Sequence, residues 1–165
     1  MADDVCAALL AALRRTEWPA QSDRPKVESG SYLVLESADK GRARAKRERH
    51  GEVWAAVARW MAGLDPAFAY TGVALTKGFR GSPHVDTYDI SYQWATSLGD
   101  FEGGELCVEA AVDEVRVVTT KGRAAKVDGR YPHWVAPWRG DERYSVIVYQ
   151  TRGEGTRKGP AVYIA

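Results

Sequence analysis

The clearest hydrophobic periodicity lies over Gly51 to Leu64, where Val53, Trp54, Val57, Trp60, Met61 and Leu64 return at three- and four-residue intervals. That spacing predicts an amphipathic helix with one apolar stripe, and Asp65-Pro66 predicts its end. Trp54 and Trp60 are assigned to packing against a sheet, since aromatics at helical spacing are usually core. A second stripe, Val5, Cys6, Leu9, Leu10 and Leu13, predicts a packing helix over residues 3 to 15, with Asp3 and Asp4 at the end where the helix dipole favours negative charge. After the Pro19 to Pro25 segment, Tyr32-Leu33-Val34-Leu35 within Ser31 to Ser37 reads as a short buried strand.

From Phe68 onward the texture changes to short β-like runs broken by Gly, Pro and Asp. They cover Phe68 to Leu75, Ile90 to Leu98, Glu105 to Val108, Val115 to Thr120, Ala124 to Val127, His133 to Pro137 and Tyr144 to Thr151. One helical layer followed by seven or eight strands predicts a mainly β chain. The expected closure is a double-stranded β-helix, a cupin-like jelly roll, with the N-terminal helices packed outside, because that arrangement protects most sheet edges. A chain of 165 residues is the size of one domain. Residues 1–67 are expected to form a helical support region and 68–165 the β-helix core.

Charge narrows the classes of partner. Lys plus Arg number 23 and Asp plus Glu 22, so a net charge of +1 gives no whole-molecule pull towards nucleic acid or membrane. A basic run, Lys40 to Arg49, is the local exception and could touch phosphates; if helical, it spreads charge around most of the rod, which a solvated surface helix explains equally well. Cys6 and Cys107 are too few and too far apart for a disulfide framework. The Met1-Ala2-Asp3-Asp4 start is acidic where a signal peptide would be basic, and no apolar run approaches spanning length. A soluble intracellular protein, cytoplasmic or nuclear, without membrane attachment is expected.

The chemistry concentrates between Pro83 and Gln150. On an extended segment residues i and i+2 point to the same side, so His84 and Asp86 can reach one ion, with His133 approaching from a later strand. Two imidazoles and a carboxylate on one face of an octahedron leave other positions open, which suits non-haem Fe(II). Taken singly, His84 reads as a turn histidine and His133 as a core histidine; the sequel to His133 raises the joint reading. A hairpin turning near Arg139-Gly140 is expected to bring Arg143 back alongside His133, with Ser145 on Arg143's face of the returning strand. A guanidinium and a hydroxyl there would anchor a dicarboxylate. Aspartate fills 11 of 165 positions, arginine 16 and serine 8. The offsets together would then arise by chance about once in three thousand, or near one in a thousand after allowing for choice of histidines.

His84-x-Asp86, a distant His133 and then Arg143-x-Ser145, with Gly103-Gly104-Glu105-Leu106 between the ligands, resembles the Fe(II)- and 2-oxoglutarate-dependent dioxygenase superfamily. The resemblance covers about the C-terminal half of the chain. It implies a double-stranded β-helix holding Fe(II) on His84, Asp86 and His133. It also implies 2-oxoglutarate chelating the iron through its C1 carboxylate and C2 ketone, with its C5 carboxylate on Arg143 and Ser145. O2 is then the oxidant, and succinate and CO2 are released as an unidentified substrate, whether nucleobase, protein side chain or small molecule, is hydroxylated or oxidatively demodified. The run Asp128-Gly129-Arg130-Tyr131-Pro132-His133 is more weakly similar to the ten-eleven-translocation and J-base-type nucleobase hydroxylases. The prolyl-hydroxylase branch usually carries lysine where this chain has Arg143. Rival readings are a non-catalytic metal- or ligand-binding jelly roll and a nucleic-acid-binding module built on Lys40 to Arg49.

Around the site, parity puts Ser91, Gln93, Ala95 and Ser97 on one strand face, and Gln93 is the candidate for a polar contact to the cosubstrate. Gly103-Gly104 is read as a tight turn without a catalytic part. Arg80, Tyr88 and Tyr131 are the candidate substrate contacts, with Trp134 and Trp138 nearby, since aromatics with an arginine suit stacking on a planar group and suit rim packing equally.

Overall fold

The computed structural model describes residues 3–24 and 28–164. The parts of the sequence reading that touch Met1, Ala2 and Pro25 lie outside the described residues. Helix α1 (Asp3–Arg15) buries Leu9, Ala12 and Leu13, and helix α3 (Gly51–Leu64) buries Val53, Val57, Trp60 and Met61. The two helices pack on each other and on one face of a six-stranded sheet. That sheet is ordered β1 (Ser31–Glu36), β2 (Gly72–Lys77), β10 (Tyr144–Tyr149), β3 (Gln93–Leu98), β7 (Ala125–Val127) and β11 (Val162–Ile164).

Strand parity decides what each side of this sheet does. Leu33, Leu35, Val73, Leu75, Trp94, Leu98, Val146 and Val148 join the helices in one core cluster. Removing each such side chain from water contributes about 1.5–3 kcal/mol, so this face fixes the register. Residues of the other parity are mostly small or polar, with Ile147, Tyr32 and Tyr149 among them, and in register Thr76 stands beside Ser145 and Ser145 beside Ser97. That face is the wall of a cavity closed from the opposite side by a three-stranded sheet, β6 (Glu114–Val118), β5 (Leu106–Ala111) and β8 (His133–Val135). A two-stranded ribbon, β4 (Phe101–Gly103) with β9 (Trp138–Gly140), completes the barrel. The architecture is a double-stranded β-helix with helices outside.

Four expectations change. The hydrophobic run at Phe68 is not strand until Gly72; Phe68 is buried in the core and stacks on Tyr92 at 4.8 Å. Likewise strand β3 starts at Gln93, because Ile90 instead gives its amide to the Gln150 carbonyl. The support region is not purely helical: β1 is a full member of the large sheet. Last, no hairpin brings Arg143 alongside His133. Strand β8 pairs with β5, β9 pairs with β4, and β10 lies in the other sheet between β2 and β3. The Asp100 carbonyl accepts the amides of Asp141 (3.1 Å) and Glu142 (3.3 Å), which carries the chain across from one sheet to the other.

Helix α2 (Gly41–Arg49) contains no buried residue. Arg44 pairs with Glu48 at 2.8 Å, Lys46 with Asp23 at 2.5 Å, and Arg47 reaches Asp39 and the carbonyls of Glu36 and Ala38. Half of the basic run's six cations therefore have local partners. Among the described residues no helix is long and apolar enough to cross a membrane.

Candidate functional site

His84 lies in a non-strand segment after Gly81-Ser82-Pro83, yet it is fastened to β8. Its amide donates to the His133 carbonyl at 3.0 Å and the His133 amide donates back at 2.9 Å. Two residues on, the Asp86 amide donates to the Gly129 carbonyl at 2.9 Å. This zipper, rather than a long strand, holds His84 and Asp86 towards the interior.

The imidazoles are set in the same way. Nδ1 of His84 lies 2.9 Å from the Ser82 carbonyl and Nδ1 of His133 lies 2.9 Å from the Tyr131 carbonyl. A carbonyl only accepts, so each Nδ1 carries the proton and each Nε2 offers its lone pair to the centre. Those Nε2 atoms are 3.9 Å (His84) and 3.4 Å (His133) from the Asp86 carboxylate oxygens, and the candidate ligand atoms of all three residues lie within 4.8 Å of one another. The donor set, two nitrogens and one carboxylate oxygen, fits a divalent transition metal.

Across the cavity Arg143 is 2% exposed. It donates from Nη1 to Ser145 Oγ at 2.7 Å and from Nη2 to the Gly104 carbonyl at 2.9 Å, while its Nε has no partner. Because Ser145 Oγ accepts from Arg143, its own hydroxyl proton remains to be donated. Beside it Thr76 Oγ1 is also buried without a partner. Arg143 has no ion-pair partner among the described residues, and burial, partly offset by Glu105, pulls its guanidinium down to about 10. Donors left unmatched in this way fit an anionic ligand.

The triad, Arg143, Ser145, Thr76 and Gln93 border one cavity of about 970 Å³. Gln93 is 3% exposed and its Oε1 has no partner. Arg80 is not on the cavity wall: its guanidinium lies 4.3 Å from the Trp138 ring centre and donates to the Trp138 carbonyl. Nor is Tyr131, whose hydroxyl donates to the Gly159 carbonyl at 2.7 Å and whose ring carries Lys158 at 3.8 Å. It braces the C-terminal segment. Tyr88 does border the cavity and is 82% exposed.

Four contributors escape sequence reasoning. Thr76 needs the strand register to be seen beside Ser145. Gly104 is more than a turn: with φ at +73°, an added Cβ would lie 2.8 Å from Arg143 Nε. Gly129 makes room beside the His84, Asp86 and His133 cluster, where a Cβ would stand 2.9 Å from Asp86 Oδ2 and 2.7 Å from Gln93 Nε2. Asp89 borders the same cavity with its Oδ2 unpartnered. Its carboxyl is pushed up to about 7 by burial and by the charge of Asp86.

A pH dependence follows from the triad. Burial opposes charge on Asp86, but hydrogen bonding to and charge on His133 hold it below its ordinary value; burial likewise opposes charge on His133, and Asp86 raises it. In the metal-free chain the His133–Asp86 attraction is present while His133 is protonated and fades as pH rises through its raised pKa. Metal requires neutral His133, so the metal's contribution runs the other way. The rise in melting temperature on adding a divalent metal is expected to be larger at about pH 8 than at about pH 6. A melting series with and without metal at each pH checks it.

No protein-family model and no curated protein sequence matches the chain. Solved structures do. An oxidoreductase of the 2OG-Fe(II) oxygenase family from Burkholderia pseudomallei aligns with a TM-score of 0.56 at 17% identity, over 93% of this chain and 80% of that one. A prolyl-4-hydroxylase from Pseudomonas putida aligns at 0.54 and 19% identity, over 92% and 89%. The dioxygenase for auxin oxidation 1 from Arabidopsis thaliana, a complex with 2-oxoglutarate, aligns at 0.53 and 12%, over 96% and 79%. The chain shares the fold of these 2-oxoglutarate oxygenases across nearly its whole length.

Proposed function

We propose that the chain is an Fe(II)- and 2-oxoglutarate-dependent dioxygenase. One observation carries this reading: a His-Asp-His set with inward Nε2 atoms faces, across a single cavity, a buried arginine that has no counter-ion among the described residues. A metal site alone needs no such arginine. When bound, Fe(II), 2-oxoglutarate and O2 supply oxidation of a C–H bond with release of succinate and CO2.

The chain's own residues do the rest. His84, Asp86 and His133 hold the metal on one side and leave its remaining positions towards the cavity. Arg143, with the free hydroxyls of Ser145 and Thr76, takes the distal carboxylate of the keto acid. Gln93 contributes a polar wall beside Asp86. Gly104 and Gly129 keep those two ends of the site open to their ligands. The local carboxylate partners of Arg44, Lys46 and Arg47 favour a solvated α2 over a phosphate-binding one.

Anaerobic addition of Fe(II) and then 2-oxoglutarate is expected to produce a metal-to-ligand charge-transfer absorption band, and admission of air to yield succinate. A missing band together with no succinate would sink the reading. A band without succinate across a panel of modified bases, peptides and small acids would favour the non-catalytic jelly roll instead.

A further inference from the structure

Asp89 is 9% exposed, borders the central cavity, and has an unpartnered Oδ2. Its backbone amide supports the metal-site loop by donating to the Asp86 carbonyl at 3.1 Å, which any residue at this position could do. The side chain is therefore unexplained by the fold. Arg130 is not its partner: that guanidinium is committed to Asp128 at 2.6 Å and to the carbonyls of Ile90 and Thr156. A buried carboxyl oxygen without a donor is costly unless a ligand supplies one.

Charge balance says what kind of ligand. On the oxygenase reading, the metal dication, Asp86, the keto-acid dianion and Arg143 cancel one another. At the mouth Arg152 lies 3.8 Å from Glu36, and Arg24 and Glu28, both exposed, have opposite signs. Among the described residues Asp89, once ionised, is left as the uncompensated charge of the loaded cavity. The aromatic lining agrees: Tyr32 and Tyr149 border the same space, and the Tyr32 ring already faces a guanidinium, that of Arg24, at 5.5 Å. Gln93 Oε1 adds another acceptor without a donor.

We propose that Asp89, on a cavity that Tyr32 and Tyr149 also border, is a specificity-determining subsite that receives a cationic group of the substrate, an ammonium or guanidinium. This rests on the oxygenase reading and names the chemical class of substrate for that site.

The test compares two probes of matched shape that differ in charge. The full chain, held anaerobically with Fe(II) and 2-oxoglutarate at about pH 8, is titrated calorimetrically with butylguanidinium and with butylurea. Butylguanidinium is expected to bind at least about tenfold tighter, the scale of one charge-assisted contact, and Asp89→Asn to remove the preference. Equal binding of the two probes by the unaltered chain overturns the proposal without reference to any variant. So does a preference that survives in an Asp89→Asn chain with unaltered near-ultraviolet circular dichroism. The charge-transfer band is read on the same samples: its absence overturns the cosubstrate assignment, while its presence without probe discrimination overturns only the subsite.

Discussion

Asp86→Asn is expected to reduce divalent-metal affinity by at least about 100-fold, because loss of a group that merely hydrogen-bonds a metal ligand typically costs about 10–100-fold and Asp86 is placed as a direct ligand. Asparagine keeps the shape, so the amide that donates to the Gly129 carbonyl and the loop it fastens should persist. What disappears is the negative charge. It balances the dication when metal is bound and raises the His133 pKa when metal is absent. Two signals should therefore move together: metal affinity falls, and His133 titrates at lower pH in the metal-free variant, followed by NMR of the imidazole. Unchanged metal affinity in a folded variant would remove Asp86 from the ligand set and with it the basis for the oxygenase reading.

The parts legible in the sequence are those whose signal is local. Helices α1 and α3 each carry an apolar stripe over more than two turns, and Asp65-Pro66 ends the second, so period and punctuation settle them. His84 and Asp86 are separated by one residue and are readable as a pair, although a carbonyl–amide zipper to His133 and Gly129, not strand pleat, aims them. Strands β4, β9 and β11 have three residues each, too few for alternation to show.

The unread parts depend on chain segments far apart in sequence. Thr76 acquires meaning only beside Ser145, Gly104 only beside Arg143, and Gly129 only beside Asp86 and Gln93. The hairpin expectation shows the limit well. His133 and Arg143 do serve one cavity, but from opposite sheets, because pairing of Trp138–Gly140 with Phe101–Gly103 diverts the chain before it can reverse. Sequence distance suggested a neighbour where the barrel supplies an opposing wall. Tyr131 fails similarly: its place two residues before His133 says nothing of the Gly159 carbonyl, which draws its hydroxyl elsewhere.

Arg143→Met should separate affinity from stability. Truncating one side of a buried charged contact costs about 2–5 kcal/mol, so 2-oxoglutarate affinity is expected to fall about 30-fold or more, with metal binding retained. Ser145→Ala, which leaves the guanidinium in place and removes one hydroxyl, should cost about tenfold or less. The metal-free, keto-acid-free Arg143→Met chain should nevertheless melt no lower than the unaltered one. Burial holds the native guanidinium down to about 10 with no counter-ion among the described residues, so the empty site stores an unfavourable charge that methionine relieves. Against this stand the losses of the bonds to Ser145 Oγ and to the Gly104 carbonyl, the latter worth about 1–3 kcal/mol if that oxygen is left unmatched. The expected melting temperature follows where the buried charge outweighs those bonds. A substantially lower melting temperature would mean that Arg143 is a structural strut tying β10 to the Gly103-Gly104 turn. Unchanged melting with unchanged keto-acid affinity would mean that the anion site lies elsewhere in the cavity. Weaker keto-acid binding with undiminished stability is the signature of a residue kept for its ligand.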